Sequence, residues 1–108
     1  MQKLLFVCSQ NKWRSLTAEK IFENLEDYTV KSAGTENGAR VKITAGLIGW
    51  ADIIFVMEKK HRSRIQEKFS DSLHIKPLHV LNIPDDYRFM DEELVEILES
   101  RVGEIIDL

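Results

Sequence analysis

Short apolar runs alternate along the chain with longer stretches of helical periodicity. Leu4-Leu5-Phe6-Val7 is continuously apolar after a charged start, the pattern of a parallel strand buried on both faces. Leu16, Ala18, Ile21, Phe22 and Leu25 then recur at helical spacing to about Glu26. Tyr28 to Ser32 reads as a second strand closed by Ala33-Gly34, and Thr35 to Arg40 as a loop around Gly38. Val41 to Trp50 predicts a short helix weakened by its two glycines. Ile53 to Met57 is the strongest strand signal, β-branched and uninterrupted. A charged helix from about Lys59 to Phe69 follows, with Ile65 and Phe69 four apart. Leu78 to Leu81 is a fourth strand, entered through Pro77, which cannot donate within a central ladder. Beyond a loop from Asn82 to Met90, Asp91 is the expected N-cap of the last helix. Glu92 and Glu93 stand in its first turn, where carboxylates suit the dipole. Leu94, Val95, Ile97, Leu98, Val102, Ile105 and Ile106 give that helix a broad apolar face.

Strands alternating with helices imply an α/β fold, a parallel sheet with helices on both faces. Right-handed crossovers place the C-terminal ends of all strands on one edge. Cys8 to Ser15 and Asn82 to Met90 both follow strands, so both belong to the edge where open α/β sheets bind ligands. The 108 residues fit one domain, 1–108.

Composition narrows the chemistry. At 44% hydrophobic and 31% charged the chain is an ordinary globular sequence. Its net charge of -3 argues against bulk attraction to nucleic acid or an anionic membrane, so any bound anion is captured by local geometry. Cys8 is the only cysteine, which excludes an internal disulfide and a dithiol redox couple. The apolar run Leu4 to Cys8 is too short for a signal peptide or a membrane span, so a cytoplasmic protein is expected. His61, His74 and His79 have neither ligand-like spacing nor cysteine partners, and no metal or other cofactor is expected.

The segment Cys8-Ser9-Gln10-Asn11-Lys12-Trp13-Arg14-Ser15 carries the chemistry. It joins a buried strand to a helix, so its backbone turns sharply and several amides converge. Helix N-termini present unpaired N–H groups and a positive dipole end to an anion. Arg14 adds a planar fork for two phosphate oxygens. A thiol in such a field ionises more readily, and the thiolate is the nucleophile. Ser15 is a candidate donor to the sulfur, and Asn11 a candidate for a left-handed turn. Taken singly, the cysteine is a small core hydrophobe, the arginine a solvated residue and the serine an N-cap. Only an anion-binding catalytic loop accounts for all of them at one strand-to-helix junction.

These residues resemble the low-molecular-weight protein tyrosine phosphatase family. The resemblance rests on Val7-Cys8-x5-Arg14-Ser15, on Ser32-Ala33-Gly34-Thr35, on Asp52 to Met57, and on Pro84-Asp85-Asp86-Tyr87. It implies a three-layer sandwich around a four-stranded parallel sheet in the order 2-1-3-4. It also implies metal-free hydrolysis through a cysteinyl-phosphate intermediate, on a phosphorylated protein or a small phosphomonoester. Cys8 is then the nucleophile, and Ser9, Gln10, Asn11, Lys12, Trp13 and Ser15 form the phosphate loop with Arg14. Gln10 replaces the family's usual glycine, Trp13 a frequent second cysteine, and the connection from Gly34 to Asp52 is shorter than usual.

Attack on a phosphate ester needs a proton for the departing oxygen, which a loop carboxylic acid supplies. Registering the resemblance on Tyr87 makes Asp85 that acid, with Asp86 in reserve; read alone, Pro84-Asp85-Asp86 is a turn. Trp13 and Tyr87 are candidates to line the cleft, and Lys59 to Arg64 reads as a solvated charged face. Asp52 reads as structural. Three alternatives stay open: a non-catalytic phosphate- or phosphotyrosine-binding module, an arsenate reductase served by an external thiol, and a phosphocarrier.

Overall fold

The structure, a computed structural model, describes residues 1–108. Its elements are β1 (Gln2–Cys8), α1 (Arg14–Phe22), β2 (Tyr28–Gly34), α2 (Ala45–Trp50), β3 (Ile53–Val56), α3 (Lys59–Leu73), β4 (Leu78–Val80) and α4 (Glu92–Gly103). The strands form one parallel sheet in the order β2-β1-β3-β4, as expected from the sequence.

Strand alternation divides the core into two layers. Leu4, Phe6 and Cys8 of β1, with Ile53 and Phe55 of β3, face α1 and α4 and pack with Ala18, Phe22, Leu94, Leu98 and Val102. Phe6 sits between Phe22 and Phe55, with ring centroids 5.6 and 5.0 Å away. Leu5, Val7, Ile54 and Val56 face the opposite way and pack with Ile48 of α2 and with Ile65 and Leu73 of α3. With both faces covered, β1 and β3 have no solvent side, which is why they read as unbroken apolar runs. Pro77 is tolerated because β4 is an edge strand: its carbonyl accepts from Ile54 N at 2.9 Å and no donor is needed.

Some boundaries differ from the sequence reading. α1 begins at Arg14 and stops at Phe22, short of Glu26. Val41 to Ile43 are drawn to the end of β2, where Gly34 N donates to Val41 O and Ile43 N to Gly34 O. α2 therefore starts only after Thr44, whose Oγ1 accepts from Leu47 N at 3.1 Å. α3 continues past Phe69, through a break at φ -130°, to Leu73. Asp91 caps α4 as expected, accepting from Glu93 N and Leu94 N. Asp52 is structural, its Oδ2 accepting from Lys3 N at 2.9 Å. At the other end of the sheet, Leu81 N donates to Val56 O and Ile83 N to Met57 O, which tethers the Asp85 loop to the end of β3. No helix is long and apolar enough to cross a membrane.

Candidate active site

Cys8 ends β1 and Arg14 begins α1, so the sequence between them must reverse over a few residues. Asn11 makes the reversal in a left-handed conformation, φ 57°. The segment Thr35–Arg40 then fixes the loop by its carbonyls. Thr35 N donates to Cys8 O at 3.0 Å, Glu36 N to Ser9 O at 3.0 Å, and Arg40 N to Gln10 O at 2.9 Å. Arg40 Nε reaches Asn11 O at 3.2 Å. With these carbonyls tied outward, the amides of Ser9, Gln10, Lys12 and Trp13 donate to no protein group, and those of Arg14 and Ser15 are the orphans of a first helical turn. The result is a concave cluster of N–H groups, a ready anion seat.

Gly34 makes this clamp possible. A Cβ there would lie 2.5 Å from Ser9 O, 2.7 Å from Ala39 Cβ and 3.0 Å from Asn11 N, so no side chain fits.

Cys8 is 3% exposed, with its sulfur at the floor of the loop. Asn11 N donates to Sγ at 3.3 Å, and Ser15 Oγ lies 3.0 Å from it. Ser15 Oγ also accepts from Asn11 Nδ2 at 2.7 Å, which leaves its own proton for the sulfur at 3.0 Å or, at a longer 3.4 Å, for Ala33 O. Asn11 and Ser15 thus act on the sulfur from behind, fully buried. In front opens a cavity of about 170 Å³ lined by Cys8, Ser9, Gln10, Lys12, Trp13, Arg14 and Asp85. That is room for a phosphoryl group rather than a large ligand.

Arg14 is 2% exposed and held on two sides. Its Nη1 donates to Glu58 Oε2 at 2.5 Å and to Ile83 O at 2.8 Å, while Nε lies 3.6 Å from Asp85 Oδ1. Burial pushes the Glu58 carboxyl up, but the hydrogen bond and charge of Arg14, with Lys60 adding to them, hold it below its ordinary range. His61, one turn into α3, is fully buried against the loop. Its Nδ1 accepts from Glu58 N at 3.0 Å, and Nε2 lies 2.9 Å from Ser9 Oγ. Burial and the neighbouring charge of Arg14 lower its pKa to about 4.

The fold therefore brings Cys8, Ser9, Gln10, Lys12, Trp13, Arg14 and Asp85 around one cavity, with Asn11 and Ser15 beneath it. Asp86 is exposed and outside the lining. Trp13 stands at the rim, 44% exposed. Tyr87 is not among the residues that line this cavity. It packs against the core beneath α1 and α4, and desolvation followed by the carboxylates Glu93, Asp86 and Asp91 raises its pKa. Sequence reasoning missed Glu58, His61 and the clamping role of Thr35–Arg40. The available signal was Gly34, a glycine closing a strand beside a tight loop.

Residues 3–50, which include the whole loop, match the family model described as low molecular weight phosphotyrosine protein phosphatase. No curated protein matches the chain in sequence. Among solved structures it is similar to the low molecular weight protein tyrosine phosphatase SP-PTP of Streptococcus pyogenes, 18% identical over 97% of this chain and 91% of that one, TM-score 0.81. The tyrosine phosphatase Wzb of Escherichia coli K30, solved with phosphate, is 23% identical over 97% of this chain and 96% of its own, TM-score 0.78. The YwlE arginine phosphatase of Geobacillus stearothermophilus is 21% identical over 97% and 92%, TM-score 0.73. These likenesses establish a shared fold, and the family model matches the strand, loop and helix of residues 3–50 that build the anion seat.

Proposed function

We propose that the protein is a cysteine-dependent phosphomonoester hydrolase, most naturally a protein tyrosine phosphatase. One observation carries the reading: Cys8, Arg14 and Asp85 line a single phosphoryl-sized cavity whose floor amides have no protein acceptor. In the first step Cys8 Sγ attacks phosphorus, the bond to the leaving oxygen breaks, and Asp85 gives that oxygen its proton. Loop amides and Arg14 hold the non-bridging oxygens as charge shifts onto them. In the second step water attacks the cysteinyl phosphate, Asp85 takes a proton from it, and phosphate leaves with the thiolate restored. Ser15 and Asn11 N steady that thiolate as a leaving group.

Support for an aromatic phosphoester comes from Trp13 at the rim, where an indole face stacks on a phenyl leaving group. Lys12 beside it disfavours a cationic one. Hydrolysis of para-nitrophenyl phosphate by the wild type and by Cys8→Ser tests the reading. Wild-type turnover at mildly acidic to neutral pH, abolished in the variant, is expected; an inactive wild type or an active variant contradicts it. A second reading, a phosphate-binding module without turnover, draws on Asp86 standing where the family carries proline. Phosphate binding by an inactive wild type would favour it.

A further inference from the structure

His61 takes no part in the steps above, yet it is completely buried and held at both ring nitrogens. Glu58 N lies 3.0 Å from Nδ1, and a backbone amide only donates, so Nδ1 carries no proton. A neutral imidazole then has its proton on Nε2, and Nε2 donates to Ser9 Oγ at 2.9 Å. With the opposite tautomer the ring would take the Ser9 proton. With this one it occupies a lone pair of Ser9 Oγ and turns the hydroxyl proton away from itself. Ser9 lines the cavity, and its carbonyl is pinned by Glu36 N at 3.0 Å, so the residue cannot swing out of place.

We propose that His61 is a positioning residue that makes the Ser9 hydroxyl a hydrogen-bond donor to the bound phosphoryl group, in addition to the loop amides. The proposal rests on the loop's phosphate-binding reading and does not require hydrolysis. It also assigns the buried histidine a reason to lie in a run of charged residues: the Glu58 amide sets the tautomer, and the tautomer sets the direction of a hydroxyl two bonds further on.

Two amide substitutions separate this role from helix capping. In His61→Asn, Oδ1 stands at the place of Nδ1 and still accepts from Glu58 N, but nothing reaches Ser9. In His61→Gln, Nε2 stands near the imidazole Nε2 and still donates to Ser9, while the acceptor for Glu58 N is displaced. Inorganic phosphate binding by titration calorimetry is the readout, with thermal melting beside it. His61→Asn is expected to melt near the wild type and bind phosphate roughly tenfold more weakly, the scale of one hydrogen bond to an anion. His61→Gln is expected to melt lower yet keep phosphate affinity within about threefold. Ser9→Ala should match His61→Asn, and the double variant should be no weaker than Ser9→Ala alone. Wild-type affinity in His61→Asn or in Ser9→Ala overturns the proposal, as does a loss in His61→Gln equal to that in His61→Asn. Because binding is read directly, a wild type that holds phosphate without turnover defeats the hydrolase and not this role of His61.

Discussion

Glu58 Oε2 sits 2.5 Å from Arg14 Nη1, so the arginine that faces the cavity is anchored by a carboxylate on the opposite strand-to-helix junction. The pair couples the start of α3 to the start of α1 through a guanidinium that is almost wholly buried. An arginine fixed this way presents its fork without spending rotamer entropy on binding. Removing Glu58 frees Arg14 and leaves a buried cation with only the Ile83 carbonyl and Asp85 near it. Glu58→Ala is therefore expected to lower kcat/KM by at least about tenfold and stability by about 2 kcal/mol, less than a fully buried pair because Glu58 keeps some solvent contact. Urea unfolding and ester hydrolysis measure both; a stable, fully active variant would show that Arg14 needs no anchor.

His61 makes stability depend on pH. Its folded pKa of about 4 lies below the ordinary 6.5, so between those values the unfolded chain binds a proton that the folded chain refuses. The contribution is complete above pH 6.5 and is lost as pH falls towards 4, by up to about 1.4 kcal/mol per pH unit. Glu58, also lowered, adds a loss of the same sign beginning below its ordinary 4.5. Urea midpoints should hold from pH 7.5 to about 6.5 and fall from there to pH 5 in the wild type, and stay nearly flat in His61→Gln. Parallel curves would mean that the ring titrates in the folded state as it does unfolded.

Asp85 lines the cavity and Asp86 does not, which separates two adjacent carboxylates that pattern alone cannot. Asp85→Asn is expected to slow esters with poor leaving groups far more than those with good ones, since only the former need the proton. Asp86→Asn should change either rate by less than about twofold. The reverse ranking would move the acid to Asp86.

Gly34→Ala places a methyl 2.5 Å from the carbonyl that Glu36 holds, and both contacts on that side are backbone or short side chain. Neither gives way cheaply. The expected result is a destabilisation of about 2–3 kcal/mol together with weaker phosphate binding, because the clamp on Ser9 and Gln10 opens. Unchanged phosphate affinity would separate the clamp from the anion seat.

How much of this was legible in the sequence follows from where each constraint lies. β1 and β3 stood out because burial on both faces leaves no polar position in them. Cys8, Arg14 and Ser15 were readable together because one loop carries them, and Asp85 because a parallel sheet sends its loop to the same edge. Glu58 and His61 were hidden: the run from Lys59 to Arg64 averages to a solvated face, and one inward ring in it leaves no periodic trace. The short α2 escaped because pairing of Val41–Ile43 with Gly34 is a tertiary contact that overrides local helical spacing. Trp13 and Tyr87 were equivalent as sequence and differ only through packing.

The central claim is that Cys8 carries the phosphoryl group during turnover. Rapid acid quenching of the enzyme with para-nitrophenyl phosphate, followed by mass mapping of its peptides, addresses it directly. The account predicts one added phosphoryl group on the peptide containing Cys8, accumulating in Asp85→Asn or early in wild-type turnover, and none in Cys8→Ala. Turnover with no phosphoryl group on Cys8, or turnover that survives Cys8→Ala, would contradict it.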